Sequence, residues 1–245
     1  MKEFLVFQLY GPMSSWGDVA VGEYRPTMNY PSKSAVLGLL AAALGIRRHE
    51  NDKHAALHNG YGFASCVLGA GELLRDYHTT QVPAGSRSYA TRRGELCYDH
   101  LKLSTILSQR DYRMDSLSLV ALWEKESSPF SLQQLQENLI QPQFTLYLGR
   151  KSCPPALPLN PHVVQEKTLK LAFVKYPCDK VVLNTKQLRD KLVGYFWEQD
   201  GIDESDLGFK AVMAYPRRDQ LINRSRWQFT TRDEYSCMET LKEGL

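Results

Sequence analysis

The run Tyr24–Arg48, YRPTMNYPSKSAVLGLLAAALGIRR, sets Arg25, Thr27, Ser32, Lys33 and Ser34 around the start of a stretch, Ala35–Leu44, that has no polar side chain. Pro31-Ser32 is a proline followed by a good N-cap, and Gly45 is a good terminator, so the spacing predicts one short buried helix over about 32–45. Backbone N–H groups at a helix start lack helical partners and carry partial positive charge. Hydroxyl and cationic side chains at that end make either an ordinary capped core helix or a seat for an anion, most simply a phosphate. A second candidate is Tyr147–Pro154, YLGRKSCP. Gly149 permits close approach, Arg150 and Lys151 bring charge, Ser152 brings a hydroxyl, and Pro154-Pro155 stiffens the exit. It reads as a generic basic turn or as a loop that contacts phosphate. Glu50, His54 and His58 recur at four-residue spacing, as metal ligands on a helical turn can. No further ligand group accompanies them, and an exposed polar helix is the plainer reading.

Regular elements have to hold these groups in place. Phe4–Tyr10 (FLVFQLY) suits a buried strand, which Gly11-Pro12 breaks. Met13–Gly17 follows, with Trp16 as either a core anchor or a flat face for stacking. A polar, histidine-bearing loop is expected over Arg47–Asn59. Tyr61–Leu68 and Glu72–Thr80 read as a hairpin around Gly69-Ala70-Gly71. Regularity lapses from Gln81 to about Tyr112, and Arg113–Trp123 then forms a strand. Leu132–Ile140 is a helix with Leu132, Leu135, Leu139 and Ile140 on one face, and Phe144–Leu148 returns as a strand. The order β-α-β-(insertion)-β-α-β predicts an α+β, ferredoxin-like (RRM-type) domain over 1–158 with a long insertion at about 80–112. A small β-rich C-terminal domain, 159–245, is expected to follow. Its strands are placed at Val181–Leu183 and Phe209–Met213, and a helix at Leu188–Trp197. The basic runs Pro216-Arg217-Arg218 and Arg224-Ser225-Arg226-Trp227 face either a partner or solvent.

With 245 residues, 43% of them hydrophobic, the chain can build a sizeable core. A net charge of +3 fits neutralisation of a short anionic segment rather than a long one. Five widely spaced cysteines without a C-x-x-C pair predict a reduced, cytoplasmic protein. The longest apolar run is far below the ~20 residues of a membrane-spanning helix, and no secretory leader is evident, so no membrane partner is expected. In the insertion, Thr80–Arg113 carries six Lys/Arg (Arg87, Arg92, Arg93, Lys102, Arg110, Arg113) against three acids, with Tyr89, Tyr98 and Tyr112 interleaved. That mixture suits an element that contacts phosphates and stacks on bases; a solvated surface hairpin is the alternative.

Several of these stretches share one pattern. The GPMSSWG turn, Arg25-Pro26-Thr27, the PSKSAVLGLLAAALGIRR helix, Leu74–Thr79 (LRDYHT), YLGRKSCP and Phe229–Tyr235 (FTTRDEY) appear in an order that resembles the CRISPR-associated CasD family, the Cas-five group of the RAMP superfamily. Its members hold the 5′ handle of the guide RNA in type I-E Cascade. The resemblance implies a non-catalytic RNA-binding subunit with no cofactor. It implies a thumb at the insertion that lies against the guide RNA and the first backbone subunit, and contacts with the large PAM-recognising subunit and, in the assembled complex, target DNA. It also implies RNA contacts from Trp16, Arg25, Thr27, Ser32, Lys33, Ser34, Tyr77, His78, Arg87, Arg92, Arg93, Lys102, Arg110, Tyr147, Gly149, Arg150, Lys151 and Ser152. The chain shows no RNP-type aromatic pattern, so RNA is expected at the loops, the helix start and the insertion rather than on the sheet face. Relatives in type I-C systems cut precursor RNA without metal, using Tyr, Lys and His. Tyr77, His78 and Lys102 supply those types here, so the alternative is a metal-independent endoribonuclease; a Tyr77–His78 pair packed under the thumb is the competing role.

Overall fold

The computed structural model describes residues 1–83, 88–98, 103–178 and 192–240. The expected strand Val181–Leu183, Arg87 and Lys102 lie outside the described residues, as does the start of the helix expected at Leu188–Trp197. In chain order the elements are β1 (Lys2–Ser14), β2 (Tyr24–Arg25), α1 (Lys33–Ala43), α2 (Asn51–Gly60), β3 (Tyr61–Gly69), β4 (Glu72–Pro83), α3 (Arg92–Tyr98), β5 (Leu103–Glu124), α4 (Leu132–Ile140), β6 (His162–Glu166), α5 (Leu169–Val174), β7 (Leu192–Trp197), β8 (Met213–Asn223) and β9 (Gln228–Thr240). None of the described helices is long and apolar enough to cross a membrane.

One large sheet runs β6-β1-β5-β3-β7-β9-β8, antiparallel throughout, with β2 and β4 added to β5. Its β1 and the second half of β5, from Ser116 to Trp123, are buried on both faces, which is why Phe4–Leu9 and Leu117–Trp123 read as nearly unbroken apolar runs. Leu5, Phe7, Val120 and Leu122 pack under α1, α2 and α4. Phe4, Val6, Ala121 and Trp123 face the other way, toward α5 and the aromatic side chains Tyr195, Trp197 and Phe209. The strands after residue 190 extend this same sheet, because β7 pairs directly with β3. The boundary expected near 158 falls just before β6, which pairs with β1 at the other edge.

Both core helices start as their sequences dictate. Ser32 caps α1 by accepting from Ala35 N at 3.2 Å, and α1 closes on Gly45 (φ +74°), with Gly45 N donating to Ala42 O and Ile46 N to Ala41 O. Ser131 and Gln134 form a reciprocal capping box on α4.

Several expectations need correction. Phe209–Met213 is not a strand: β8 begins only at Met213, and Phe209 packs against Tyr195 and Trp197. The polar loop over Arg47–Asn59 contains helix α2, and its His54 and His58 are buried rather than exposed. Phe144–Leu148 is not a strand: its chain hydrogen-bonds to the end of α1 and to the Ser15 turn, and β6 comes later. Leu192–Trp197 is strand β7, its alternate residues packed on the two sheet faces, not the end of a helix. The largest correction concerns Gly69-Ala70-Gly71. It does not reverse the chain: β3 pairs with Leu117–Glu124 and β4 with Leu103–Met114, so both run the same way along one edge of β5. Gly71 (φ +67°) lies so close to β5 that a Cβ there would sit 2.1 Å from Met114 O, and across from it Asp115 also has positive φ. This is a bulge in a long strand pair, not a turn. The segment 103–112, expected to be irregular, is therefore strand. The insertion is a β4–β5 arm with α3 near its tip.

The arm's root is tied by the buried Asp111. Its carboxylate accepts from Arg75 Nε at 2.9 Å and from the Tyr24 hydroxyl at 2.5 Å, and Arg75 holds its pKa below the usual carboxylate range. Excising Thr79–Leu107 and joining His78 to Ser108, a directly opposed pair, with Asn-Gly should therefore leave the core folded. The melting midpoint should move by less than about 4 °C, roughly 1 kcal/mol for a chain of this size. Insoluble product, or a larger drop on thermal denaturation, would show that the arm supports the core.

Candidate functional site

A groove of about 660 Å³ opens where the Ser15–Ala20 turn, the start of α1, the histidine face of α2, Tyr147–Arg150 and the β8–β9 hairpin meet. It gathers Trp16, Ser32, Ser34, Tyr147, Gly149 and Arg150 from the sequence-derived set, with Arg217, Arg218, Arg224 and Trp227 from the C-terminal basic runs.

The anion seat at the start of α1 is real, and the protein fills it itself. Asp219 on β8 accepts from Lys33 N at 2.8 Å. The Lys33 side chain, only 1% exposed, turns inward to Glu198 at 2.7 and 2.9 Å, and burial lowers its pKa. Lys33 thus cannot meet an external phosphate as expected; a cation so deep needs a carboxylate partner. Asp219 also accepts from Arg232 Nε at 2.7 Å. Glu234, wholly buried, takes Arg232 at 2.5 Å, Arg217 at 3.0 Å and the Tyr30 hydroxyl at 2.7 Å. Burial alone would raise the Glu234 pKa, but Arg217 and Arg232 outweigh it and hold it below the usual range.

The remaining expected residues divide by location. Trp16 is 4% exposed with its ring in the core, so it serves as the anchor rather than as an open stacking face; its backbone N–H donates to Thr27 Oγ1 at 2.9 Å. Ser32 is the cap of α1, and its hydroxyl lies 3.1 Å from that of Ser34. Arg25 is exposed and bonds Gly22 O. Gly149 (φ +85°) makes its close approach to the protein: a Cβ there would meet Ser15 O at 1.7 Å. Arg150 donates to Asp111 O at 3.2 Å and Arg25 O at 3.1 Å and lies over Tyr112, bracing the loop to the arm's root. Lys151 and Ser152 stay exposed.

Tyr77, His78, Arg92, Arg93 and Arg110 lie away from the groove, on the arm. Tyr77 and His78 are successive strand residues and so point to opposite faces; Tyr77 is 55% exposed, and His78 contacts Asp76. They are part of the arm rather than a pair packed beneath it. Arg92 pairs with Glu95, while Arg93 and Arg110 are exposed.

Sequence reasoning missed Asp219 and Glu198, which carry no local motif, and Glu234, which lies in the FTTRDEY stretch but was given no role there. It also set aside His54 and His58, although with Leu57 they mark the buried face of α2. Glu50, the third member of that trio, accepts from Arg47 N and Lys53 instead, and His54 Nε2 lies 3.2 Å from Arg47 O. His58 lies against the groove with Nδ1 unpartnered. Burial, reinforced by Lys33, His54, Arg224 and Arg232, pushes its pKa down to about 3.

The profile of the family described as CRISPR-associated protein (Cas_Cas5) matches residues 4–234. The chain is 35% identical over 178 residues, 72% of its length and 78% of the relative's, to the CRISPR system Cascade subunit CasD of Escherichia coli (strain K12). Among solved structures, a chain of a CRISPR RNA-guided surveillance complex superposes with a TM-score of 0.65 at 23% identity, over 97% of this chain and 90% of that one. A structure described as a Cas protein gives 0.61 at 27%, over 97% and 94%.

His58 gives the site a pH signature. Because its folded pKa lies below the unfolded value of 6.5, the unfolded chain takes the proton first as pH falls. The stability of neutral His58 is fully present above about 6.5 and is lost progressively toward 3. His58→Leu should flatten the stability–pH curve in that window by up to one proton, about 1.4 kcal/mol per pH unit. Urea titrations from pH 7 to 4 check it; parallel curves for the two proteins would rule out this assignment.

Proposed function

The chain belongs to the CRISPR-associated protein family Cas_Cas5, and from that membership we propose that it is a non-catalytic guide-RNA-binding subunit of a Cascade-type surveillance complex. It grips the repeat-derived 5′ handle of the guide RNA, and it joins the backbone subunit next to the handle to the large PAM-recognising subunit. It works in the cytoplasm and meets target DNA only within the assembled complex.

One observation carries this reading: the groove that holds the Ser15–Ala20 turn, the start of α1 and the basic loop lies beside an arm rooted at the same point through Arg150 and Asp111. A handle seated on Ser34, Tyr147, Arg150 and Lys151 passes under that arm, which is the thumb in this reading. Affinity then comes from phosphate contacts, and orientation from the shape of the path. We read the core over 1–158 as ferredoxin-like; the sheet order β6-β1-β5-β3, which is fourth-first-third-second when these four are numbered alone, supports it once β6 at 162–166 is included. The sheet face used by RNA-binding RRMs is here covered by α5 and its aromatic neighbours, which favours loop-based binding.

The alternative, a metal-independent endoribonuclease, is favoured by one feature, the Asp76–His78 contact, since a carboxylate can orient a histidine base. The opposed directions of Tyr77 and His78 count against a joint catalytic set. Handle RNA incubated with the protein in EDTA should bind and stay intact; cleavage that disappears in His78→Ala would establish the enzyme instead.

Lys151 is the cleanest probe of the loop, because Arg150 also braces the fold. Lys151→Ala should weaken handle binding and flatten the slope of log K against log salt by about 0.7 with no loss of thermal stability. An unchanged slope would remove this loop from the RNA path.

A further inference from the structure

The turn between β8 and β9 carries a feature that neither the core nor the handle contacts require. Trp227 sits in the turn at φ +54°, a left-handed conformation uncommon for a large side chain, and is 55% exposed. Arg224 Cζ lies 4.0 Å from its ring centroid and Arg48 Cζ 4.7 Å. The turn is pinned rather than loose. Ser225 N and Oγ both donate to Asn51 Oδ1, at 3.0 and 3.1 Å, and Arg226 N donates to Asn223 Oδ1 at 2.9 Å. Among the described residues, Arg48, Arg224 and Arg226 have no ion pair, and Arg224 Nη1 is buried without a partner. Two guanidinium groups therefore crowd one exposed indole with no carboxylate to balance them. Trp227 and Arg224 also line the groove.

We propose that Arg48, Trp227 and Arg224 form a stacking contact for single-stranded nucleic acid. One base lies on the indole–guanidinium layer, and the flanking phosphates lie against Arg48, Arg224 and Arg226. Guanidinium planes held on an exposed, pinned indole supply a flat layer that any base can use, and the unpaired arginines supply the charge. An acidic protein partner would satisfy the arginines but leave the indole without a flat counterpart. The contact goes beyond the handle-binding reading, since it needs no handle sequence, and it stands if that reading fails.

The four tryptophans make the test direct, because Trp16, Trp123 and Trp197 are buried and Trp227 alone is open to quenching by a stacked base. The full chain is titrated with unstructured single-stranded RNA lacking the handle sequence, in parallel with DNA of equal length, inorganic polyphosphate and a poly-glutamate peptide. Intrinsic fluorescence should be quenched by the oligonucleotides and not by the two base-free polyanions. Quenching by RNA and DNA alike supports a sugar-indifferent stack; quenching by RNA alone supports the same contact and fixes its source. Trp227→Phe should lose the quench yet keep most of the affinity, whereas Trp227→Ala should lower affinity roughly 5- to 150-fold by anisotropy of a labelled oligonucleotide. Arg48→Gln, which touches only an exposed side chain, should weaken binding and flatten its salt dependence. Absence of quenching in the parent protein, its persistence in Trp227→Phe, or equal quenching by polyphosphate or poly-glutamate overturns the proposal.

Discussion

The carboxylate of Asp219 at the start of α1 ties together parts of the chain 186 residues apart. A strand near the end of the chain caps a helix near its beginning, and the same carboxylate orients Arg232, which reaches Glu234, while Glu234 binds Arg217 and Tyr30. Lys33 adds Glu198, just after β7, and Lys125, just after β5, reaches the same Glu198 at 3.1 Å. Taking so many charges out of water gains little net stability, but removing one member of such a set costs about 3–5 kcal/mol. The consequence is specificity of arrangement. The β8–β9 hairpin can meet α1 in one register only, and that register forms the groove's far wall.

This arrangement also assigns the basic residues their work. Lys33, Arg217 and Arg232 are engaged by carboxylates within the protein, and Arg150 by backbone carbonyls. Among the cations near the groove, Lys151 and the arginines of the β8–β9 turn are exposed or carry no carboxylate partner among the described residues. A chain with only a modest positive balance can thus present a concentrated basic rim, because its interior neutralises itself.

Residues with local signatures were legible in the sequence. The Pro31-Ser32 entry, the Gly45 exit and the Ser131 capping box fixed α1 and α4, because a cap is a contact between near neighbours. Pairing between distant strands was not legible. Gly69-Ala70-Gly71 has the composition of a turn, and only the presence of β5 makes it a bulge. Asp219 looks like one more charge in a basic run until α1 is placed beneath it. Gly149 and Arg150 stand out in the sequence, yet the close approach and the paired donations that distinguish them are to Ser15, Asp111 and Arg25. A residue type suited to gripping a phosphate is equally suited to gripping a carbonyl, and composition cannot tell the two apart. The set of groove residues was partly recoverable, since the basic runs at 216–218 and 224–227 were visible; that they share one cavity with the first turn was not.

The bulge at Gly69–Gly71 has a geometric consequence for the arm. Side chains alternate between faces along a strand, so the parity of residues through the bulge decides which set points which way. As built, Arg75 and Tyr77 share the face of Asp111, and Asp76 and His78 the face of Tyr112. Adding or removing one residue between Gly69 and Gly71 would leave β5 and the core strands in phase and turn over the β4 side chains against them. It would exchange a face anchored by an arginine and bearing an open tyrosine for one bearing a histidine and an aspartate. The bulge therefore acts as a phase setting for β4, deciding which of its side chains accompany Asp111, and it does so from outside the groove.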